Sequence, residues 1–322
     1  MGAFRMQKII ICISFFVFIL FLNLLLNWAN VAIGSSYGNN DLKQCLNAPE
    51  LKVSKNILIG TSVSREVNLS PNNLNIMGEK YFVCGVSAAI TNLDFHYLII
   101  DLINQKYGIN NKKILIEFST QGALKSDSIL SSNRFSNFLT AATLQSKIFW
   151  LNILFKKSGN YNKEIIINFG KTIYSFLFPY ENFKNISLIP PELKRKNRYI
   201  NKKSIEPQLI DKKQLNQYRY IFDKNITQIR LNNILELIQY NKGHVSFYLP
   251  PSNKFCTKLI PLESANNLND FFKNLTNNYE VIDLRFLNNS NFFYDCAHLN
   301  REGQSVLEKH FLEGNFGKPN NI

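Results

Sequence analysis

The chain has 322 residues, 45% hydrophobic and 19% charged, with 37 Lys and Arg against 23 Asp and Glu for a net charge of +14. That apolar content excludes a disordered or low-complexity polypeptide, and five cysteines without a C-x-x-C pair exclude both a dense disulfide scaffold and a zinc ribbon. The charge invites a nucleic-acid partner, but the N-terminal sequence points elsewhere.

From Ile9 to Leu26 the chain reads IIICISFFVFILFLNLLL, interrupted only by Cys12, Ser14 and Asn23. Continued to Ile33, it reaches the roughly 20 residues a helix needs to cross a hydrocarbon core of about 30 Å. Arg5 and Lys8 precede it and Trp28 stands at an interfacial position, so the positive-inside rule keeps the N-terminus in the cytoplasm and exports the rest. The expected organisation is a cytoplasmic N-terminus and transmembrane anchor (1–34), a polar linker (35–55), one exported domain (56–313) and a short tail (314–322). A cleaved signal peptide, with Ala32-Ile33-Gly34 as its cleavage site, is the competing reading; its apolar region normally runs only about 7–15 residues. An exported domain does not meet DNA, so no nucleic-acid partner is expected. The chain is rich in Asn, Lys and Ile, residues of AT-rich codons, so part of the +14 reads as compositional bias. The densest basic run, Lys194 to Arg198 with Lys202 and Lys203, has no periodic apolar face and reads as a solvated loop. Contact with anionic headgroups or an anionic polymer is its alternative.

Short apolar runs then alternate with helix-period segments. Strands are expected at 56–60, 81–85, 113–118, 244–249 and 279–284, with an amphipathic segment at 92–107 and a closing helix at 301–312. That alternation implies right-handed crossovers and an α/β fold with a five-stranded parallel sheet and helices on both faces. About 120 residues separate the third and fourth strands, far more than one crossover needs. They read as helices at 133–157, 164–178 and 211–241, a helical insertion (about 122–243) that either caps the sheet or rests on a bilayer or membrane partner.

Three features fall at carboxyl ends of strands or after the last one, where ligands sit in such sheets. The first strand runs into Gly60-Thr61-Ser62, placing a hydroxyl at a strand-to-helix turn, and the second into Gly85-Val86-Ser87. The last is followed by Tyr294-Asp295-Cys296-Ala297-His298-Leu299-Asn300, just ahead of the closing helix. A serine nucleophile needs a general base, and that base needs a carboxylate to orient it. Asp and His three apart in one loop can supply both, and an N–H at a glycine after a neighbouring strand can receive the oxyanion. Each piece has a plainer reading, a helix cap for the serine and a surface turn for Asp-x-x-His; their joint order carries the inference. No His or carboxylate cluster has metal-ligand spacing, and no cofactor is expected.

These blocks resemble the SGNH/GDSL hydrolase superfamily, whose fold is a three-layer α/β/α sandwich. Its first block, Gly-Asp-Ser, is matched by Gly60-Thr61-Ser62 with Thr in place of Asp. Gly85 matches the oxyanion glycine of the second block, and Asp295-Cys296-Ala297-His298 matches the last. The third block, Gly-x-Asn-Asp, is absent, and Glu117-Phe118-Ser119-Thr120-Gln121 stands in its place. A Gly-[Ser/Thr]-Ser first block with a single N-terminal anchor is similar to proteins that partner membrane-bound O-acyltransferases, of the teichoic-acid D-alanylation and alginate-acetylation types. The resemblance covers about 56–122 and 244–312. It implies Ser62 as nucleophile, His298 as base and Asp295 as orienter, with Ser62, Gly85 and Gln121 around the oxyanion. It also implies a bacterial inner-membrane location and a carbohydrate or anionic-polymer acceptor. An envelope esterase with water as acceptor, and an inactive scaffold for a membrane acyltransferase, are the alternatives.

His96, His244 and His310 read as structural. Asp101, Glu117 and Asp283 read as caps or strand-end polar groups, Glu117 being the one close to the expected site. Cys45, Cys84, Cys256 and Cys296 would be exported, where disulfides persist. Cys84 and Cys296 flank the candidate residues, and the simplest expectation for them is two buried thiols.

Overall fold

A computed structural model describes residues 44–66, 73–85, 93–124, 210 and 212–316. All of them belong to one compact unit. The expected anchor, the insertion helices at 133–157 and 164–178 and the basic run at 194–198 lie outside the described residues. Among the described residues no helix is long and apolar enough to cross a membrane.

The elements run, in order, α1 (Pro49–Val53), β1 (Asn56–Gly60), α2 (Ser62–Glu66), β2 (Asn73–Ile76), β3 (Glu79–Gly85), α3 (Leu93–Tyr107), β4 (Lys113–Glu117) and α4 (Thr120–Leu124). After them come α5 (Lys212–Gln217), α6 (Lys224–Tyr240), β5 (His244–Leu249), α7 (Lys254–Thr257), α8 (Leu262–Asn278), β6 (Glu280–Asp283) and α9 (Arg301–Glu313). The fold is mixed α/β, with a mostly parallel sheet in the order β2-β3-β1-β4-β5-β6.

The central strands form because their apolar runs are continuous, as strands covered on both faces require. Ile57, Leu58, Ile59, Leu115 and Ile116 are wholly buried. Register pairs Gly60 with Gly85 and Ile59 with Ile116, so β1, β3 and β4 end together. On one side, Leu58, Leu115 and Tyr248 share a cluster with Leu307 and Phe311 of α9. Alternation sends Ile57, Ile59, Ile114 and Ile116 the other way. There α3 packs on β1, α6 on α3 and β5, and Phe118 meets Phe271 and Phe272 of α8.

The chain leaves β1 toward β3 and leaves β4 toward β5 on the opposite side. β1 and β4 therefore flank a switch point, and the crevice beyond their carboxyl ends is where such sheets hold ligands.

Four expectations need correction. The sheet has six strands rather than five, because β2 adds antiparallel to β3 at its edge. Its hairpin turns at Met77 (φ 50°) and Gly78 (φ 82°), a pair of positive φ angles that suits a tight hairpin but that methionine does not advertise. The helix expected at 211–241 is two, since Tyr218 and Phe222 turn into the core between them. Asp223 then caps α6 by accepting from Ile226 N–H at 3.0 Å. Residues 44–53, expected within a linker, belong to the domain: Leu46 and Leu51 are buried, and Lys106 Nζ and Tyr107 Oη both donate to Leu46 O at 2.7 Å. Finally, Cys84 and Cys296 are not thiols. Cys45 bonds to Cys84 and Cys256 to Cys296, with Cα separations of 5.3 and 5.6 Å.

Candidate active site

Ser62 opens α2 immediately after β1, so the turn at the end of the central strand presents its hydroxyl at the switch point. His298 and Asp295 come from the loop between β6 and α9. Ser62 Oγ lies 2.8 Å from His298 Nε2, and His298 Nδ1 lies 2.7 Å from Asp295 Oδ2. Because a carboxylate only accepts, the ring proton sits on Nδ1 and leaves Nε2 to accept from the serine hydroxyl. Asp295 Oδ1 also takes the N–H groups of Ala297 and His298, at 2.8 and 2.7 Å. Burial alone would push the Asp295 carboxyl up. The hydrogen bond and charge of His298, with the two N–H groups, outweigh burial and bring it down to about 2.

The loop that carries this pair is fixed from several directions. Asn253, in the segment after β5, donates its Nδ2 to Asp295 O at 3.2 Å and its N–H to Cys296 O at 3.0 Å. Ser290 Oγ in turn donates to Asn253 Oδ1 at 2.8 Å. The wholly buried Tyr218 donates its hydroxyl to Cys296 O at 3.2 Å. Cys296, between Asp295 and His298, is tied to α7 through Cys256. Asn300 caps α9 by accepting from Gly303 N–H at 3.0 Å and donates to Asn291 O at 2.6 Å. The Tyr294 ring stacks on His298 with centroids 5.6 Å apart and planes within 9°.

No protein-family model and no curated protein matches this chain.

The three residues expected to form a triad are thus brought into one hydrogen-bonded chain. Gly85 ends β3 directly beside Gly60, and Cys84 before it is held by its disulfide to Cys45. Val86 and Ser87 lie outside the described residues. Gln121 is on α4, at the end of the neighbouring strand β4, and its amide donates to the Gln217 side chain. Ser119 accepts from Gly122 N–H at 3.0 Å and so starts α4. The remaining candidates are structural in placement: His96 is buried on α3, His310 bonds Asn315 O at 2.9 Å, Asp101 accepts from Gln105 at 2.9 Å, and Asp283 pairs with Arg285 at 2.7 Å. Among the described residues no three His, Cys, Asp or Glu side chains gather as metal ligands.

Sequence reasoning gave no role to Asn253, Tyr218, Tyr294 or Ser64. Tyr294 is the one with a local signal, as the aromatic that opens the Asp-x-x-His segment. Asn253 and Tyr218 reach the site through tertiary contacts between distant segments, and Ser64, two residues after Ser62, donates to Glu117 at the end of β4.

Proposed function

We propose that this protein is an exported SGNH-type serine enzyme that transfers or hydrolyses O-acyl groups on an envelope carbohydrate or polymer. The observation that carries the reading is the continuous chain from Ser62 Oγ through the His298 ring to the Asp295 carboxylate. In this reading Ser62 Oγ attacks an acyl carbonyl while its proton passes to His298 Nε2, and Asp295 stabilises the imidazolium. The N–H groups of Ser62 and Gly85 receive the oxyanion, with the second amide N–H of Gln121 as a further donor, its first being given to Gln217. Collapse expels the first alcohol with the proton from His298. An acceptor hydroxyl, or water, then attacks the acyl-serine and releases Ser62 by the reverse proton route.

Helices against both sides of a mostly parallel sheet are consistent with the α/β/α sandwich of that superfamily. Two disulfides support an oxidising compartment, in keeping with an exported domain held at the bacterial inner membrane by the apolar segment 9–26. A membrane-bound O-acyltransferase is the proposed partner, as acyl donor on the membrane side.

The test is labelling of the full chain by a serine-reactive fluorophosphonate, followed by turnover of aryl acetate with and without a polysaccharide acceptor. Labelling that disappears in Ser62→Ala and His298→Ala supports the acyl-enzyme, and turnover that rises with acceptor distinguishes transfer from hydrolysis. The absent third-block Asn favours a silent scaffold instead. That alternative wins if Ser62→Ala restores full envelope acylation to cells lacking the protein.

A further inference from the structure

We infer that Glu117 is the positioning residue for Ser62, and that Thr61 is the residue matched to it. The inference deepens the serine-nucleophile reading and rests on it for its kinetic readouts. Glu117 ends β4 at the switch point and is 1% exposed. A carboxylate taken out of water is costly unless its lone pairs are met, and among the described residues no ion pair reaches this one. It is met by four donors, all from the two residues that bracket the Ser62–Val63 step. Thr61 supplies its N–H at 2.8 Å and its hydroxyl at 2.7 Å; Ser64 supplies its N–H at 3.1 Å and, closest of all, its hydroxyl. Thr61 Oγ1 also accepts from Val63 N–H at 3.2 Å. Among the described residues, three of the four successive N–H groups in the turn are therefore tied down, and that of Ser62 is not among them. The carboxylate fixes the turn so that the hydroxyl meets His298 while the Ser62 N–H is left for an oxyanion.

The fit is specific to this pair of residues. Gly60 is required beneath it, because a Cβ there would sit 2.5 Å from Glu117 Oε2 and closer still to Ser64 Oγ. A carboxylate at position 61, as in the superfamily's usual first block, would set two acids face to face in a dry site, where like charges cannot both ionise. Thr61 removes that conflict and adds a donor. The Gly-Thr-Ser block and the acid at the end of β4 thus form one device.

The test compares Glu117→Ala, Glu117→Gln, Thr61→Asp and the double variant Thr61→Asp/Glu117→Gln in the full chain. In the double variant the carboxamide NH2 donates to the introduced acid while its oxygen accepts from Ser64. Three readouts are taken: fluorophosphonate labelling rate, kcat and KM on p-nitrophenyl acetate, and the Ser62 Oγ to His298 Nε2 separation in crystals. A misplaced nucleophile should cost Glu117→Ala and Thr61→Asp about 100-fold in labelling rate and kcat, with KM held within about 2-fold. Glu117→Gln, which keeps the shape and most acceptors, should lose less than about 10-fold, and the double variant should recover about 10-fold over Thr61→Asp. The 2.8 Å contact should lengthen beyond hydrogen-bond reach in the two impaired single variants and return in the double. Full labelling by folded Glu117→Ala, or a double variant no better than Thr61→Asp, overturns the inference. If Glu117→Ala does not fold, the Gln and double variants decide it. Wild-type protein that is never labelled would sink the serine-nucleophile reading, while the crystallographic separation would still decide the role of Glu117.

Discussion

Asp295 holds His298 twice: one carboxylate oxygen receives the ring Nδ1–H at 2.7 Å and the other receives the backbone N–H of the same residue at 2.7 Å. The three-residue spacing makes this possible, since the chain folds back over its own aspartate before α9 begins. Asp295→Asn separates the two functions. The amide oxygen still accepts the backbone N–H groups, but the amide NH2 cannot accept from Nδ1, so the ring takes the wrong tautomer. Fluorophosphonate labelling should fall by about 10³–10⁴-fold in protein that is still folded at the assay temperature. Asp295→Ala removes the backbone acceptors too and should destabilise by a further 1–3 kcal/mol or so, read by urea melts. Equal labelling by Asn and wild type would remove Asp295 from the proposed chemistry.

The same contacts make a statement about acid. Burial works against the Asp295 charge, yet its hydrogen bonds to His298 and the loop N–H groups bring it from 3.8 to about 2. A carboxyl depressed in the fold contributes stability above its unfolded pKa and loses it as pH falls through the folded value. With a side chain only 14% exposed, little solvent discount applies, and the contribution is about 2 kcal/mol. Wild-type protein should therefore lose about that much more stability than Asp295→Asn between roughly pH 4 and pH 2. Identical acid slopes would contradict the assignment.

The Cys256–Cys296 bridge closes a loop with a sequence separation of 40 and enters the Asp295–His298 segment at its middle. Cross-linking over that span restricts the unfolded chain by about 4 kcal/mol on the chain-entropy account. Cys256→Ala/Cys296→Ala should lower stability by an amount of that order and also slow labelling, because the His298 loop loses its covalent tie to α7. The corresponding Cys45 and Cys84 pair, with a separation of 39, should cost similar stability. Its kinetic effect should be smaller, since it pins the neighbour of Gly85 rather than the base. Mass spectrometry of alkylated protein checks the pairing directly.

Which parts of this could be read from sequence follows from the range of the forces involved. The strands at 56–60 and 244–249 have the boundaries expected from their apolar runs, because burial on both faces writes itself locally into consecutive residues. Ser62 and the Asp295–His298 pair were legible because strand-end serine and Asp-x-x-His are short patterns. β2 was not, being four residues long and joined through Met77 at positive φ. The break between α5 and α6 was hidden because Tyr218 and Phe222 are as apolar as the helix pattern around them. Disulfide partners and the Glu117 clamp depend on strand order. Only the placement of β4 beside β1 brings residue 117 to residue 61, and Glu117 read alone was a strand-end polar group.

Gly303 offers a test of how tightly the His298 loop is seated. It lies in the first turn of α9, where Ala is ordinarily worth about 1 kcal/mol more than Gly. Here a Cβ would stand 2.8 Å from Phe292 Cβ and 2.9 Å from Leu299 Cδ2, and closer still to the Phe292 carbonyl oxygen. Those atoms belong to the short turn at Ser290–Phe292 and to the residue after His298, and both are fixed. Phe292 O takes the Asn300 N–H at 2.8 Å, and Asn300 caps the helix through Gly303 itself. Overpacking of a seated turn costs about 1–3 kcal/mol, which exceeds the propensity gain. Gly303→Ala should therefore destabilise the protein in thermal melts and slow fluorophosphonate labelling, because relief requires the Leu299–Asn300 step to move with His298 beside it. A stabilised Gly303→Ala protein with unchanged labelling would mean that the loop has room the described packing denies it.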